Sequence, residues 1–382
     1  MKSDRRSERP PTYDVLELSP RTRSGLVDIV SGSFGAGHDA AAREIASRFR
    51  ARGYTTRTWD IVDFFPWRLG ALLRRLYFLQ LRSVPGTWET LLHRLEPGHT
   101  LHGAVVRALA MTADPLLSIS TARPEVIIST HPFASQALGQ LRESGRLGVP
   151  VVTYLTDMSV HPLWVHPAVD LHLALHEIPA AQARRRFGTT RVIDPLIPLD
   201  GAPRPTDVLA RRELRARLGL PPDQPLALVT GGSLGIGELF RSARDIARTG
   251  LATPVVLCGE NRSLHRRLCS AAGVIRLGWR DDVPDLLRSV DCVVQNAGGF
   301  TSLEAIAAGT PTLSYRCIPG HGRTNAQALH DAGLIPWAKD ELELRRELQA
   351  ALTRVVPAPD PGWGPRADVV DAVFPERVEI PA

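Results

Sequence analysis

Short apolar runs rich in β-branched residues alternate along the chain with longer segments whose apolar residues recur at helical spacing. The run "SGLVDIVSG" (24–32) precedes "DAAAREIASRFRARG" (39–53), and "EVIIST" (125–130) precedes "FASQALGQLRESG" (133–145). Apolar runs of this length, separated by helices, are typical of parallel strands buried on both faces. The pattern therefore predicts an α/β fold of doubly wound parallel sheets.

The same alternation restarts after a proline-rich stretch, "DPLIPLDGAPRPTD", at residues 194–207. Beyond it, "PLALVTGGSLGIGELFRSARDIARTG" again predicts a strand, a glycine loop and a helix. We therefore expect two Rossmann-like domains, the first over residues 25–200 and the second over residues 201–350. Residues 1–24 are expected to form a disordered, charged tail. Residues 351–382 are expected to form a C-terminal tail whose last apolar segment packs back on the first domain.

Composition and charge narrow the class of protein. Hydrophobic residues make up 43% of the chain, and no run of about 18 uncharged apolar residues, the length of a membrane-spanning helix, occurs. The four cysteines show no CxxC spacing, which favours a reduced, cytoplasmic location. Between residues 43 and 107 there are eleven arginines against five acidic residues, so the first domain should carry a basic patch. The basic stretch has no recognisable nucleic-acid reader module, and no nucleic-acid partner is expected.

The first predicted strand ends in a glycine-rich loop, Gly32-Ser-Phe-Gly35-Ala-Gly37, followed at once by His38. Glycines let a backbone approach a ligand, and free amides at a helix start favour an anion or a polar oxygen. His38 at the rim can accept a proton from a hydroxyl near neutral pH. Two alternatives stay open. One is simple close packing of strand on helix. The other is a dinucleotide site with Asp60 on the ribose, although the spacing G-x-x-G-x-G differs from G-x-G-x-x-G.

A second glycine loop, at residues 231–237, follows "LALVT" and opens another helix. Its backbone amides form a second anion cradle, suited to a diphosphate. Between the two loops, "TYLTDMSVHPLWVHP" places Asp157 just past a strand, where parallel sheets bind ligands. Pro162 and Pro167 prevent a helical face with two histidines, so no metal site is expected there.

The segment "QNAGGFTSLEAIAAGTP" holds a third glycine turn, at Gly298 and Gly299. Thr301 or Ser302 is expected to cap the helix that carries Glu304. A glutamate in a first helical turn suits the two hydroxyls of a ribose, or simply complements the helix dipole. The next loop-to-helix segment, "IPGHGRTNAQALHDAG", carries Arg323, Asn325 and Gln327.

The stretch "DFFPWRLGALLRRLYFLQLRS" predicts an amphipathic helix. One face carries Leu69, Leu72, Leu73, Leu76 and Leu79. The other face carries Arg74, Arg75 and Arg82, with Phe78 among them. An aromatic side chain within an arginine face indicates contact with an anionic membrane. The alternative is a helix that packs on its own domain with a solvated basic side.

These segments together resemble glycosyltransferase family 28, and within it the monogalactosyldiacylglycerol synthases and the bacterial processive diacylglycerol glucosyltransferases. The likeness runs from about residue 26 to residue 340 and is most specific in "NAGGFTSLEAIAAGTPTLSYRCIPGHGRTNAQAL". It implies the GT-B fold, in which two Rossmann-like domains face each other across a cleft. It also implies inverting transfer of a sugar from a nucleotide donor that is usually UDP-linked.

The resemblance also implies roles for single residues. The donor would be bound by Gly231, Gly232, Ser233, Asn296, Gly298, Gly299, Thr301, Glu304, Asn325 and Gln327. On the acceptor side, His38 matches the histidine of the glycine loop that includes Gly35 and Gly37, and Asp157 matches the aspartate at the strand end. The chain departs from the pattern at His321, where relatives often carry glutamine or glutamate.

The sequence therefore predicts an inverting, metal-independent glycosyltransferase that moves a hexose from a UDP-sugar to a diacylglycerol-like lipid or another hydroxyl acceptor. His38 or Asp157 would be the base, and the UDP-sugar would be a co-substrate, with no further cofactor. The expected location is cytoplasmic, peripheral on the inner face of the cell membrane, where an anionic membrane surface would be a partner. Two alternatives are an NAD(P)-dependent Rossmann oxidoreductase and a non-catalytic protein that binds a nucleotide sugar or a lipid.

Overall fold

The computed structural model describes residues 25–83, 86–186, 188–194, 196, 205, 207–353 and 367–375. Its strands form two six-stranded sheets, one in each half of the chain. The predicted tail at residues 1–24 and the predicted domain boundary at residue 200 lie outside the described residues. The predicted fold class, two parallel sheets with interleaved helices, is confirmed.

The first sheet has the strand order β2-β1-β3-β4-β5-β6, and each neighbouring pair is parallel. Its strands are β1 (Leu26–Ser31), β2 (Thr55–Asp60), β3 (Val126–Ser129), β4 (Val151–Leu155), β5 (Leu171–Ala174) and β6 (Thr190–Val192). Its helices are α1 (Ala36–Ala51), α2 (Leu69–Ser83), α3 (Gly86–Arg94), α4 (Thr100–Leu109), α5 (Ala113–Ile119), α6 (Pro132–Glu143) and α7 (Glu177–Arg184). Four of them, α2 to α5, form an insertion between β2 and β3.

The second sheet has the order β12-β11-β10-β7-β8-β9 and is likewise parallel. Its strands are β7 (Leu226–Thr230), β8 (Thr253–Leu257), β9 (Ile275–Leu277), β10 (Cys292–Gln295), β11 (Thr312–Tyr315) and β12 (Trp337–Ala338). Its helices are α8 (Val208–Leu218), α9 (Leu239–Thr249), α10 (Arg262–Arg267), α11 (Val283–Ser289), α12 (Phe300–Ala307), α13 (His321–Asp331) and α14 (Glu341–Thr353).

Apolar periodicity explains how the helices cover the first sheet. In α1 the fully buried Ala41, Ile45 and Phe49 recur every four residues and face the strands. The C-terminal helix α15 (Val369–Val373) packs into the same cluster, with Val369 and Val370 beside Phe49. The segment after α14 therefore returns to the first half.

The two halves touch through an apolar cluster that joins Met158 and Leu175 to Leu303 and Leu329. Each glycine loop follows the strand at which the strand order of its sheet reverses. In the first sheet, β2 lies on one side of β1 and β3 on the other; in the second sheet, β8 lies on one side of β7 and β10 on the other. Such a reversal opens a crevice at the carboxyl ends of the strands, where α/β proteins bind ligands. The fold therefore brings both glycine loops to ligand-binding edges.

Candidate active site

A cavity of about 700 Å³ lies between the two halves, at the carboxyl ends of both sheets. The first half lines it with residues 34–38 and 156–157, and the second half with residues 230–234 and 295–302. Both glycine loops, which are far apart in the sequence, thus face one cavity. A cleft of this size with a few converging polar groups is typical of a small-molecule site.

His38 lines this cavity at the start of α1. Its Nδ1 lies 2.9 Å from the carbonyl oxygen of Thr130, and because a carbonyl only accepts, Nδ1 carries the proton. Burial lowers the pKa of His38 below its usual range, while the nearby charge of Asp157 acts in the opposite direction. The ring is therefore neutral near pH 7, and its Nε2 has a free lone pair, as a general base requires.

Asp157 follows β4 and is held from both halves of the molecule. Its Oδ2 accepts a bond of 3.2 Å from the indole of Trp164, and its Oδ1 accepts one of 3.3 Å from the amide of Asn325. Both carboxylate oxygens thus have partners within the protein. The geometry suits Asp157 to orienting and electrostatic work beside His38 better than to proton abstraction.

The second glycine loop turns tightly enough that side chains would not fit. A Cβ on Gly231 would lie 2.3 Å from the carbonyl oxygen of Ile236, and Gly232 has a φ of +72°. The loop precedes α9, whose first turn has no side-chain cap. Gly231, Gly232 and Ser233 all line the cavity, so backbone amides border it where the resemblance implies a diphosphate.

The helix α12 presents a second set of amides to the same cavity. It begins at Phe300, with Gly299 at the N-cap position and no side-chain cap. The prediction that Thr301 or Ser302 caps this helix is wrong, because the helix begins before them. The uncapped N–H groups of its first turn, together with the helix dipole, favour a negative charge at this end of the cavity.

Two polar side chains near α12 lack partners among the described residues. Asn296 donates from Nδ2 to the carbonyl of Ile236 over 2.8 Å, but its buried Oδ1 accepts no bond. Glu304 lies in the second turn of α12, one turn behind Phe300 and Thr301, and burial raises its pKa to about 7. Asn296 lines the cavity, whereas Glu304 does not. The Oδ1 of Asn296 would gain from a hydroxyl group of a ligand, since an unpaired buried acceptor is costly.

Comparison with known proteins agrees with this geometry. The family model for monogalactosyldiacylglycerol (MGDG) synthase matches residues 38–191. The predicted family resemblance is confirmed. A probable monogalactosyldiacylglycerol synthase 2, chloroplastic, of Oryza sativa subsp. japonica is 29% identical over 345 residues, which cover 84% of this chain and 72% of the rice protein. A processive diacylglycerol beta-glucosyltransferase of Bacillus cereus (strain B4264) is 23% identical over 241 residues, or 60% of each protein.

Solved structures show that the fold is GT-B. A UGT of Medicago truncatula complexed with UDP-glucose has a TM-score of 0.56 at 13% identity, covering 88% of this chain and 92% of its own. A UDP-glucosyltransferase from Polygonum tinctorium capable of glucosylating indoxyl has a TM-score of 0.51 at 15% identity, covering 87% of this chain and 94% of its own. The MGDG synthase-like chain thus has the two-domain fold that its motifs predict.

The alternative of an NAD(P)-dependent oxidoreductase gains no support. Asp60 was its ribose-binding candidate, but Oδ1 of Asp60 accepts bonds from the backbone amides of Val62 at 2.9 Å and Ser33 at 3.3 Å. The carboxylate thus fixes the first glycine loop. Gly32 has a packing role too, since a Cβ there would lie 2.5 Å from the ring of His131.

Three predicted donor residues, Glu304, Asn325 and Gln327, are not among the residues that line the cavity. Asn325 is fully buried: its Oδ1 accepts from the amide of Ser159 and its Nδ2 donates to Asp157 and to the carbonyl of Ala297. Gln327 is exposed on α13 and donates to Asp331. None of the three lines the cavity, and donor contact by them stays a prediction. Asn325 connects Asp157 to the glycine turn at Gly298.

The amphipathic helix α2 also differs from its prediction. The leucine face is split: Leu69 and Leu73 are half-buried against the first half, whereas Leu72, Leu76 and Leu79 are exposed. Of the predicted membrane residues, Leu72 and Arg75 are exposed and Phe78 is half-buried beside Tyr77. The side chain of Arg82 lies outside the described residues.

Arg74 makes a contact that the helical pattern did not predict. Its guanidinium donates to Oγ of Ser33 over 2.6 Å, so the side chain turns toward the first glycine loop. Ser33 and Arg74 are 41 positions apart, so the periodicity within α2 could not predict this contact. Arg74 thus adds positive charge close to the cavity.

His321, the departure from the family pattern, lines the cavity at the first position of α13. The indole Nε1 of Trp88, on α3 of the other half, donates to His321 Nδ1 over 2.9 Å. Burial lowers the pKa of His321, so the ring is neutral and its proton is on Nε2. His38 and His321 therefore have opposite tautomers. Sequence reasoning missed Trp88, because nothing local links it to a residue 233 positions away.

Other histidines have structural roles. His131, His161, His166 and His176 each accept, at Nδ1, the backbone amide two residues further on. Within the described part of the chain, no group of three or more His, Cys, Asp or Glu side chains could hold a metal ion. Among the described helices, none is long and apolar enough to cross a membrane.

Proposed function

We propose that this chain is an inverting, metal-independent glycosyltransferase that transfers a hexose from a UDP-sugar to the hydroxyl of a diacylglycerol-like lipid. The names of the relatives support it, since one is a monogalactosyldiacylglycerol synthase and another a diacylglycerol glucosyltransferase. One observation carries the proposal. A single cavity combines the unprotonated Nε2 of His38 with the glycine loop at residues 231–233 and with the uncapped N-terminus of α12.

The proposed reaction is a single displacement. His38 takes the proton of the acceptor hydroxyl, whose oxygen attacks the anomeric carbon while the bond from that carbon to the diphosphate oxygen breaks. The new negative charge on the diphosphate is stabilised by the backbone amides of residues 231–233 and by the N-terminus of α12. Because these dipoles lie where charge develops, the mechanism needs no divalent cation.

The proposed location is the cytoplasmic surface of the cell membrane. The first half presents Trp67, which is 92% exposed, together with Leu72, Leu76 and Leu79. Arg75 is exposed beside them on α2. Apolar side chains that insert at an interface, next to a cation that pairs with anionic lipid, are what peripheral binding needs.

The test incubates the purified chain with UDP-glucose, UDP-galactose and other UDP-hexoses and with diacylglycerol in anionic vesicles, and identifies products by mass spectrometry. We expect one glycosyl-diacylglycerol at a rate unchanged by EDTA. His38→Ala should lower kcat by about 10²- to 10⁴-fold, the usual contribution of a general base.

The matched control is His330→Ala, since His330 is exposed on α13 outside the cavity. Its rate should equal that of the wild type. Retention of full turnover in His38→Ala at saturating donor and acceptor would exclude His38 as the base. Binding of UDP without transfer to any acceptor would favour the non-catalytic alternative.

A further inference from the structure

One part of the cavity is lined by α2, α3 and α4. We call it the apolar arm and define it by Leu73, Leu76, Leu91, Leu92, Leu101 and Val105. The described residues from 73 to 109 that line the cavity include no Asp, Glu, Lys or Arg. Charged side chains of the same helices, such as Arg75 and Arg107, are absent from this wall.

The aliphatic side chains of the arm are less buried than those of the core. Leu73, Leu91, Leu92, Leu101 and Val105 are only half-buried, whereas Leu81, Leu95 and Leu109, also at the cavity, are buried. Half-buried aliphatic side chains that meet in a concave wall leave apolar surface in water, and burying that surface under a ligand is favourable. The arm is therefore suited to a hydrocarbon.

The length of the arm suits a hydrocarbon chain. Its α4 wall runs from Leu101 to Ala108, a length of about 10 Å at a rise of 1.5 Å per residue. His38 lines the same cavity. Leu76 lines it too and is 50% exposed, so the cavity reaches the surface of α2 there.

The arm reaches the protein surface at Leu76, on the apolar surface of α2. Leu76 lies between Leu72 and Leu79, which are both exposed. The opening of the arm at Leu76 is therefore on the surface proposed to meet the membrane. We propose that one hydrocarbon chain of the lipid acceptor leaves the bilayer at Leu76 and lies in the apolar arm while its hydroxyl reaches His38. This inference rests on the proposed function and adds that chain binding inside the protein determines acceptor preference.

The test measures kcat/KM for monomeric diacylglycerols from dibutanoyl to didecanoyl, each below the concentration at which it aggregates. In the wild type, kcat/KM should rise about fourfold for each methylene that enters the arm, and then level off once the arm is full. In Ala104→Phe, kcat/KM should level off at a shorter acyl chain length than in the wild type. Ala104 is exposed but lines the cavity, so the larger ring fills the arm without overpacking the core.

Met111→Phe is the matched control, because Met111 is exposed just after α4 and does not line the cavity. It should keep the chain-length profile of the wild type. A wild-type profile independent of chain length, or the same profile in Ala104→Phe as in Met111→Phe, overturns the inference while leaving glycosyl transfer intact.

A binding measurement keeps the inference separable from catalysis. A bromine-labelled decanoyl glycerol should quench the emission of Trp88, which lines the cavity beside Leu91 and Leu92, and Trp88→Phe should remove that component. If no acceptor is glycosylated but quenching occurs, the proposed function fails and the chain site stands. If transfer occurs without quenching, the chain site fails.

Discussion

Replacing Glu304 by glutamine should stabilise the free protein and weaken its binding of nucleotide. Burial raises the pKa of Glu304 from 4.5 to about 7, and no described residue pairs with its carboxylate. In the unfolded chain the carboxyl of Glu304 ionises near its usual pKa of 4.5. Between pH 4.5 and about pH 7 the unfolded state therefore loses this proton while the folded state keeps it, so the free energy of unfolding falls as the pH rises. Above about pH 7 the folded state also carries the buried charge, and the loss of stability is complete.

The size of the effect follows from the same shift. At 1.36 kcal/mol for each pH unit, ionised Glu304 costs about 3 kcal/mol of folding free energy at about pH 8 and about 1 kcal/mol at about pH 5. Glutamine has nearly the same shape and no charge, so Glu304→Gln should recover these amounts. Urea unfolding at both pH values measures the difference, with the exposed Glu213→Gln on α8 as control.

The functional part of the prediction has the opposite sign. If Glu304 accepts the ribose hydroxyls, its loss should weaken UDP binding by about 10- to 100-fold, the range for a hydrogen bond to a charged group. A dideoxy-ribose analogue of UDP should bind both proteins equally. Equal stability of variant and wild type at high pH would refute the view that Glu304 is an uncompensated buried carboxyl, and unchanged UDP affinity would refute its ribose role.

Two further predictions concern the histidines of the cavity. Asp157→Asn removes a charge that raises the pKa of His38, so the acid limb of the kcat/KM–pH profile should move to lower pH. Asp39→Asn should shift it less, because Asp39 has a smaller influence on His38, and an unmoved limb in Asp157→Asn would contradict the electrostatic account. Trp88→Phe removes the indole donor that fixes the tautomer of His321. Steady-state assays should show kcat/KM about tenfold lower, the cost of one unpaired buried acceptor, while a loss no larger than that of the exposed control Trp279→Phe would contradict it.

Local patterns were sufficient to predict the two sheets and the positions of both glycine loops. Buried parallel strands have a continuous apolar signature, and a loop that follows such a strand must emerge at its carboxyl edge. The meeting of His38 with the loop at residues 231–233 follows from that rule applied to both halves. The hydrophobic periodicity and the order of the elements along the chain were therefore enough to predict that the two loops meet.

The sequence was less informative where the face of a helix on which a side chain lies had to be known. Asn325 and Gln327 are two positions apart on α13, so a helix turns their side chains about 200° from each other and only one can face inward. The sequence motif treated them as one group. Likewise Leu73 and Leu76 lie on one broad apolar face, and only the packing of α2 on its neighbours shows that Leu76 remains half exposed.

Contacts between the halves could not be predicted from either half alone, yet they determine the chemistry of the cavity. The tautomer of His38 is fixed within its own half by the carbonyl of Thr130, so this base is formed wherever the first half is folded. The tautomer of His321 depends on Trp88, and the position of Asp157 depends on Asn325, each across the interface. Because α3 supplies Trp88 and also lines the apolar arm, a lipid chain that displaces α3 would alter His321 directly. The acceptor arm and the donor half are therefore linked through α3, by the hydrogen bond of 2.9 Å from Trp88 to His321 and by the ion pair of 3.0 Å between Glu89 and Arg323.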